Sequence, residues 1–199
     1  MSRGSPPGHV ALTYDDGPNP HSTEALLKAL REVDACATFF TLGGNQQHYP
    51  ELVRAIRAAG MWIGNHTWSH PHLPQISRDA VIDEIRRTQQ MTRQITGQAP
   101  TLFRPPYGDT NDEIKADAAA QGLTQVLWSV DTKDWNGATT ERIVQAAATV
   151  QPGGIILMHD GGYRTTVAAV PLIVRGLAAR GLRTGRIIAR NGRPVVVAP

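Results

Sequence analysis

The chain has 199 residues, 41% apolar, 19% charged and 6% aromatic, which is enough for one sizeable core and excludes disorder as a description of the whole. Lys and Arg number 20 against 17 Asp and Glu, a net charge of +3, and no basic run exceeds two residues, so nothing resembles a nucleic-acid footprint. The longest apolar stretch, 167–174, contains a proline and falls far short of the roughly 20 residues a bilayer span needs.

Residues 1–8 lack an apolar core and read as a flexible lead-in rather than an export signal, leaving 9–199 as one domain. From there, short apolar runs alternate with Gly/Pro-rich loops and helix-like stretches. A first strand is predicted over 9–14 and a helix over 22–33, with Ser22 or Thr23 as N-cap and Ala25, Leu26, Leu27, Leu30 and Val33 as its apolar stripe. A second strand covers 37–41. Cys36, just before it, has no disulfide partner and reads as a small core residue. A helix over 51–59 stops at Gly60, a third strand covers 61–65, and a long helix from about 78 to 96 stops at Gly97. A short fourth strand over 102–104 precedes the Pro105-Pro106 break, and a helix over 112–121 ends at Gly122. A fifth strand is predicted over 124–130, a helix over 140–150, a sixth strand over 154–158 and a helix over 166–180. The tail, 186–190 and 195–198 around Asn191-Gly192, reads as a hairpin or a last strand with a return. This alternation implies parallel strands with helices outside: a single-domain α/β chain, a distorted (β/α)7-type barrel, with an open doubly wound sheet as the alternative.

The unusual polar residues fall at one end of that scheme. Asp15 and Asp16 follow the first strand, His66 and His70 the third, Arg104 and Tyr107 the fourth, Asp131 and Asp134 the fifth, His159 and Asp160 the sixth. These are carboxyl ends of parallel strands, where such folds build their sites. On a helical turn, the spacing of His66 and His70 puts both imidazoles on one face, and the Asp15-Asp16 pair can supply a third ligand. Two adjacent carboxylates are costly in a half-buried pocket without a cation. A bound divalent ion relieves one and leaves the other free as a base. Asp-Asp-Gly-Pro is also ordinary turn chemistry, and both uses can coexist.

Taken in order, Tyr14-Asp15-Asp16-Gly17-Pro18, His66-Thr67-Trp68-Ser69-His70-Pro71, Arg104-Pro105-Pro106-Tyr107-Gly108, Asp131-Thr132-Lys133-Asp134-Trp135 and Leu157-Met158-His159-Asp160 resemble the five motifs of the polysaccharide deacetylases. This is the NodB homology domain, carbohydrate esterase family 4. The resemblance spans roughly residues 10–189, and the chain looks most similar to actinobacterial acetylxylan esterases and chitooligosaccharide deacetylases. Tyr14, where the family usually has Phe, and the lack of a cysteine pair carried by some secreted members are the departures. The resemblance implies that Asp16, His66 and His70 hold a divalent ion, zinc first, with cobalt accepted by members. It implies Asp15 as general base paired with Arg104, the Tyr107 backbone N–H as oxyanion donor, and His159 as general acid oriented by Asp134. Trp135 and Leu157 would then house the acetyl methyl group. The implied partner is an acetylated polysaccharide or oligosaccharide: acetylxylan first, N-acetylglucosamine oligomers next and peptidoglycan third. Such polymers lie outside the cytoplasm, so secretion is expected, with a monomer as the default.

Other residues are read more plainly. His9, His21, His48 and His72 match no motif, and His72 is near enough to the metal loop to line the cleft rim. Trp68 and Trp128 are expected in the core, with a sugar platform the alternative for Trp68. Asp131 is expected to brace its loop. Two rival functions are a glycosidase using Asp15 and Asp134, and a non-catalytic sugar-binding relic; the retention of both Asp15 and His159 speaks against the second.

Overall fold

A computed structural model describes residues 8–199, so the expected lead-in lies outside the described residues save for Gly8, which opens the first strand. In chain order the elements are β1 (Gly8–Asp15), α1 (Thr23–Glu32), β2 (Ala37–Thr41), α2 (Gly43–His48), α3 (Pro50–Ala58), β3 (Trp62–Asn65), α4 (Arg78–Thr96), β4 (Leu102–Phe103), α5 (Asp112–Ala120), β5 (Thr124–Gln125), β6 (Val130–Asp131), α6 (Thr140–Ala147), β7 (Ile155–His159), α7 (Arg164–Ala179), β8 (Leu182–Thr184), β9 (Arg186–Arg190) and β10 (Arg193–Val197). Seven parallel strands in the order β5-β4-β3-β2-β1-β7-β6 curl into a half-barrel ringed by helices, and β8 adds to the start of β1. Among the described residues no helix is long and apolar enough to cross a membrane.

Side-chain alternation in β1 explains the layering. Val10, Leu12 and Tyr14 point outward into the main core with Leu26, Leu30, Ile143 and Ile173, beneath the helices. Ala11 points inward and meets Phe40, Leu102, Val126 and Ile155. Ile187 and Val196 of the β9–β10 hairpin join this inner cluster, so the hairpin fills one end of the half-barrel. Thr13 and Asp15 share the inward face, nearer the other end. Helix ends follow their chemistry: Ser77, Asn111 and Thr139 accept from the backbone N–H groups of Ala80, Ile114 and Arg142, and Gly97 closes α4 at φ 78°.

Two expectations are corrected. The predicted strand over 124–130 is two strands, because its halves pair at opposite ends of the sheet: β5 with β4, β6 with β7. Residues 126–129 span the gap between those edges, and the carbonyls of Val126 and Leu127 turn to accept from Arg104 instead of a neighbouring strand. α2 was not predicted, since Gly43-Gly44-Asn45-Gln46-Gln47-His48 has no apolar stripe. Cys36 is half-buried rather than fully inside, with Sγ 3.6 Å from Thr184 Oγ1.

Candidate active site

Strand register assembles the site. Asp15 is paired with Phe40 of β2 on one side and His159 of β7 on the other. Thr41 is paired with Asn65, and Asn65 with Phe103, so His66 and Arg104 leave their strands at the same level. Eight of the predicted residues, Asp15, Asp16, His66, His70, Tyr107, Trp135, Leu157 and His159, line one cleft of about 500 Å³. The other two, Arg104 and Asp134, are fully buried beside Asp15 and His159.

Asp16, His66 and His70 each offer one ligand atom, all within 4.8 Å of one another. Asp16 Oδ1 lies 3.4 Å from His66 Nε2 and 3.3 Å from His70 Nε2, yet it is buried and makes no hydrogen bond. A buried carboxylate oxygen aimed between two imidazole nitrogens and bonded to neither fits a divalent cation. The Nδ1 of His66 lies 2.7 Å from the Arg104 carbonyl, which can only accept. Nδ1 therefore carries the hydrogen, and the neutral ring presents the Nε2 lone pair to the cleft. Burial would raise the Asp16 pKa, but the neighbouring His66, with His70 behind, holds it at about 2. Burial would lower that of His66, but Asp15 and Asp16 raise it. Burial and the neighbouring His66 lower that of His70.

The loop carrying the two histidines is not helical. Thr67 and His70 sit at φ 70° and 63°, because the loop must turn sharply after β3 to bring both rings inward. It is held from outside: Gly43 and Gly44 of α2 donate to the carbonyls of Thr67 and Trp68, and Glu84 accepts from the backbone N–H groups of Trp68 and Ser69. Trp68 packs over Gly43, where an added Cβ would come within 2.4 Å of the ring, and under the Arg87 guanidinium. It is half-buried outside the cleft and offers no sugar platform there. The Asp16 turn, φ 72°, is tied down by Asn45, which donates to its carbonyl, and by Asp160, whose N–H donates to the Asp15 carbonyl while its carboxylate accepts from the hydroxyls of Ser22 and Thr23. Burial pushes the Asp160 carboxyl up to about 7 despite those hydroxyls. Of the seven non-glycine residues at positive φ among the described residues, Asp16, His70 and Tyr107 line this cleft and Thr67 lies in the loop that carries its histidines, which places backbone strain where the geometry is most demanding.

Two ion pairs stand beside the triad. Arg104 Nη1 donates to Asp15 Oδ1 and to Thr13 Oγ1, both at 2.8 Å, while its guanidinium lies 4.1 Å from the Phe40 ring centroid. Asp15 Oδ2 is left toward the cleft, 3.7 Å from His66 Nε2. Burial draws the Arg104 pKa below its ordinary value, with Asp15 opposing. In the second pair, His159 Nδ1 is 2.8 Å from Asp134 Oδ1, and Asp134 Oδ2 accepts from the His159 N–H and the Thr166 hydroxyl. Burial alone would lower the His159 pKa; the Asp134 hydrogen bond and the negative charge of Asp15 and Asp134 raise it.

Three further residues line the cleft: Trp128, Asp131 and Tyr163. Trp128 was expected in the core, but the chain crossing between β5 and β6 turns it into the cleft above Arg104. Asp131 Oδ1 accepts from the Lys133 N–H and so also braces its loop. His72 stands at the rim, stacked on Tyr107, whereas His21 and His48 are exposed elsewhere.

A polysaccharide deacetylase family model matches residues 2–126. The chain is 41% identical over 189 residues to a bifunctional xylanase/xylan deacetylase from Cellvibrio japonicus, covering 94% of this chain and 28% of that protein. It is 36% identical over 192 residues to a chitooligosaccharide deacetylase from Rhizobium leguminosarum bv. trifolii, covering 89% of each. It spans between 28% and 65% of the length of three of the curated relatives it matches. A family 4 carbohydrate esterase from Streptomyces lividans, solved in complex with acetate, superposes with a TM-score of 0.92 at 46% identity, covering 96% of this chain and 98% of that one.

Proposed function

The chain belongs to the polysaccharide deacetylase family, and from that premise we propose that it removes acetyl groups from a polysaccharide or oligosaccharide in a metal-dependent hydrolysis. The observation that carries this reading is the unbonded Asp16 Oδ1 between two imidazole nitrogens, beside a second carboxylate whose cleft-facing oxygen is free of Arg104. A divalent ion held by Asp16, His66 and His70, zinc or alternatively cobalt, would supply Lewis acidity toward the acetyl carbonyl and acidify a water.

The chain's own groups account for the proton movements. Asp15 Oδ2 takes a proton from the attacking water; Arg104 occupies Oδ1, which fixes the oxygen that works. The Tyr107 backbone N–H has no acceptor among the described residues and donates to the oxyanion as it forms. His159 Nε2, opposite the nitrogen bound to Asp134, delivers a proton to the departing sugar oxygen or nitrogen as the carbon–oxygen or carbon–nitrogen bond breaks. Acetate and a free hydroxyl or amine result, and the proton on Asp15 returns through solvent to His159. Trp135 and Leu157 give the methyl group an apolar seat.

An O-acetylated xylan is the first-choice substrate, followed by N-acetylated chitooligosaccharides and then peptidoglycan. The fit to an esterase solved with acetate and the identity to a xylan deacetylase support the first place given to xylan. Residues 9–199 would form the catalytic domain, acting as a monomer outside the cytoplasm, where such polymers lie. The test is a panel of the three acetylated polymers assayed for acetate and for reducing ends together. Acetate without new reducing ends is expected; new reducing ends without acetate would make the protein a glycosidase.

A further inference from the structure

Tyr107 is held by two histidines that lie two residues apart. Its ring is parallel to that of His72, with centroids 4.0 Å apart and planes at 8°, and it meets the His70 ring edge-on at 4.5 Å. His72 is itself fixed by Asp109, with Nδ1 3.2 Å from Oδ2. Tyr107 and Asp109 belong to one turn, in which the Gly108 and Asp109 N–H groups donate to the Pro105 and Pro106 carbonyls.

That turn is strained. Tyr107 has φ 61° and ψ 1°, followed by Gly108 at φ 70°. A residue with a Cβ persists in the left-handed region only where its neighbours over-determine it. Gly108 is seated against Trp128, where an added Cβ would lie 2.8 Å from the ring. The Tyr107 side chain is 58% exposed, so burial does not hold it. Beyond the turn's own hydrogen bonds, its ring is held by the His70 edge and the His72 face. Relaxing φ at Tyr107 to the ordinary negative region would swing its N–H away from the point it now addresses.

We propose that His72, braced by Asp109, is a positioning residue that clamps Tyr107 in the left-handed conformation and so keeps its backbone N–H aimed at the oxyanion. The inference rests on the reading of that N–H as the oxyanion donor. The clamp also ties the 66–72 loop to the 104–109 turn, so the groups expected to act on one carbonyl oxygen move together. His72 is half-exposed, so its replacement leaves the fold intact.

The test compares His72→Ala with His72→Phe, which keeps a flat ring over Tyr107 and loses the Asp109 bond. Acetate release is measured on acetylated xylan, and backbone amide exchange is followed at Gly108 and Asp109, whose N–H groups are bonded within the turn. Removing an oxyanion donor outright costs about 10²–10³ in kcat, so loosening one is expected to cost about tenfold, with KM little changed. His72→Ala should show that loss together with faster amide exchange, while zinc binding stays as in the wild type. His72→Phe should recover most of kcat and the slow exchange. Wild-type kcat and exchange in His72→Ala would overturn the clamp, as would equal damage in His72→Phe or loss of zinc binding in His72→Ala. A wild-type protein that frees no acetate from any acetylated polymer would defeat the deacetylase reading. Exchange would then decide the clamp alone, faster in His72→Ala supporting it and unchanged overturning it.

Discussion

Asp15 with Arg104 and Asp134 with His159 end on neighbouring strands, and the two pairs are wired in opposite senses. In the first, the carboxylate reaches the cleft and the cation sits behind it, fully buried and permanently charged. In the second, the cation reaches the cleft and the carboxylate is the buried member, satisfied by four donors: the backbone N–H groups of Trp135 and His159, the His159 ring and the Thr166 hydroxyl. A base needs a countercharge that does not titrate, and guanidinium supplies one. An acid must itself titrate, and imidazole does. The difference places stability with the first pair and pH dependence with the second.

The largest effect should come from breaking the buried side of the first pair. Arg104→Leu leaves Asp15 without its countercharge and the carbonyls of Val126 and Leu127 without a donor, at a cost of about 3–5 kcal/mol. Denaturant unfolding would show it, and the double variant with Asp15→Leu should recover part of the loss. Next, Asp15→Asn keeps the shape of the pair and removes the base. Turnover should fall by at least the roughly 10²-fold typical of losing a general base, with the bound ion retained by elemental analysis; near-normal turnover would remove Asp15 from its role.

Asp134→Asn sharpens the contrast through pH. As an acid His159 works protonated, so activity is lost as pH rises through its raised pKa. Removing the Asp134 charge lowers that pKa, so the alkaline limb of the acetate-release profile should move to lower pH. The same linkage acts on folding: the raised pKa contributes stability below the ordinary 6.5 that disappears as pH climbs through the folded value, and Asp134→Asn should shrink it. The smallest effect should be Thr166→Val, which deletes one hydroxyl bond to Asp134 at about 1 kcal/mol and should leave the acetate-release profile nearly in place.

Much of this was readable from the amino-acid string, because the reactive residues follow strands whose apolar runs are local signals. The stop at Gly97 was local too, and α4 has the predicted bounds. What stayed hidden depends on distant partners. The 124–130 strand divides because its two halves meet opposite edges of the sheet, which no window along the chain can show. Trp128 reaches the cleft through that same crossing. The 66–70 loop has helical spacing yet is held open by Glu84 and α2, 15 or more residues away in sequence. The His72 stack on Tyr107 joins positions 35 apart, with no periodicity to betray it.

The most direct measurement is acetate release after exhaustive dialysis against a chelator, followed by titration with zinc or cobalt. Activity should vanish on dialysis and return in proportion to added ion, reaching a plateau at one equivalent per chain. Undiminished acetate release by metal-free protein would contradict the account.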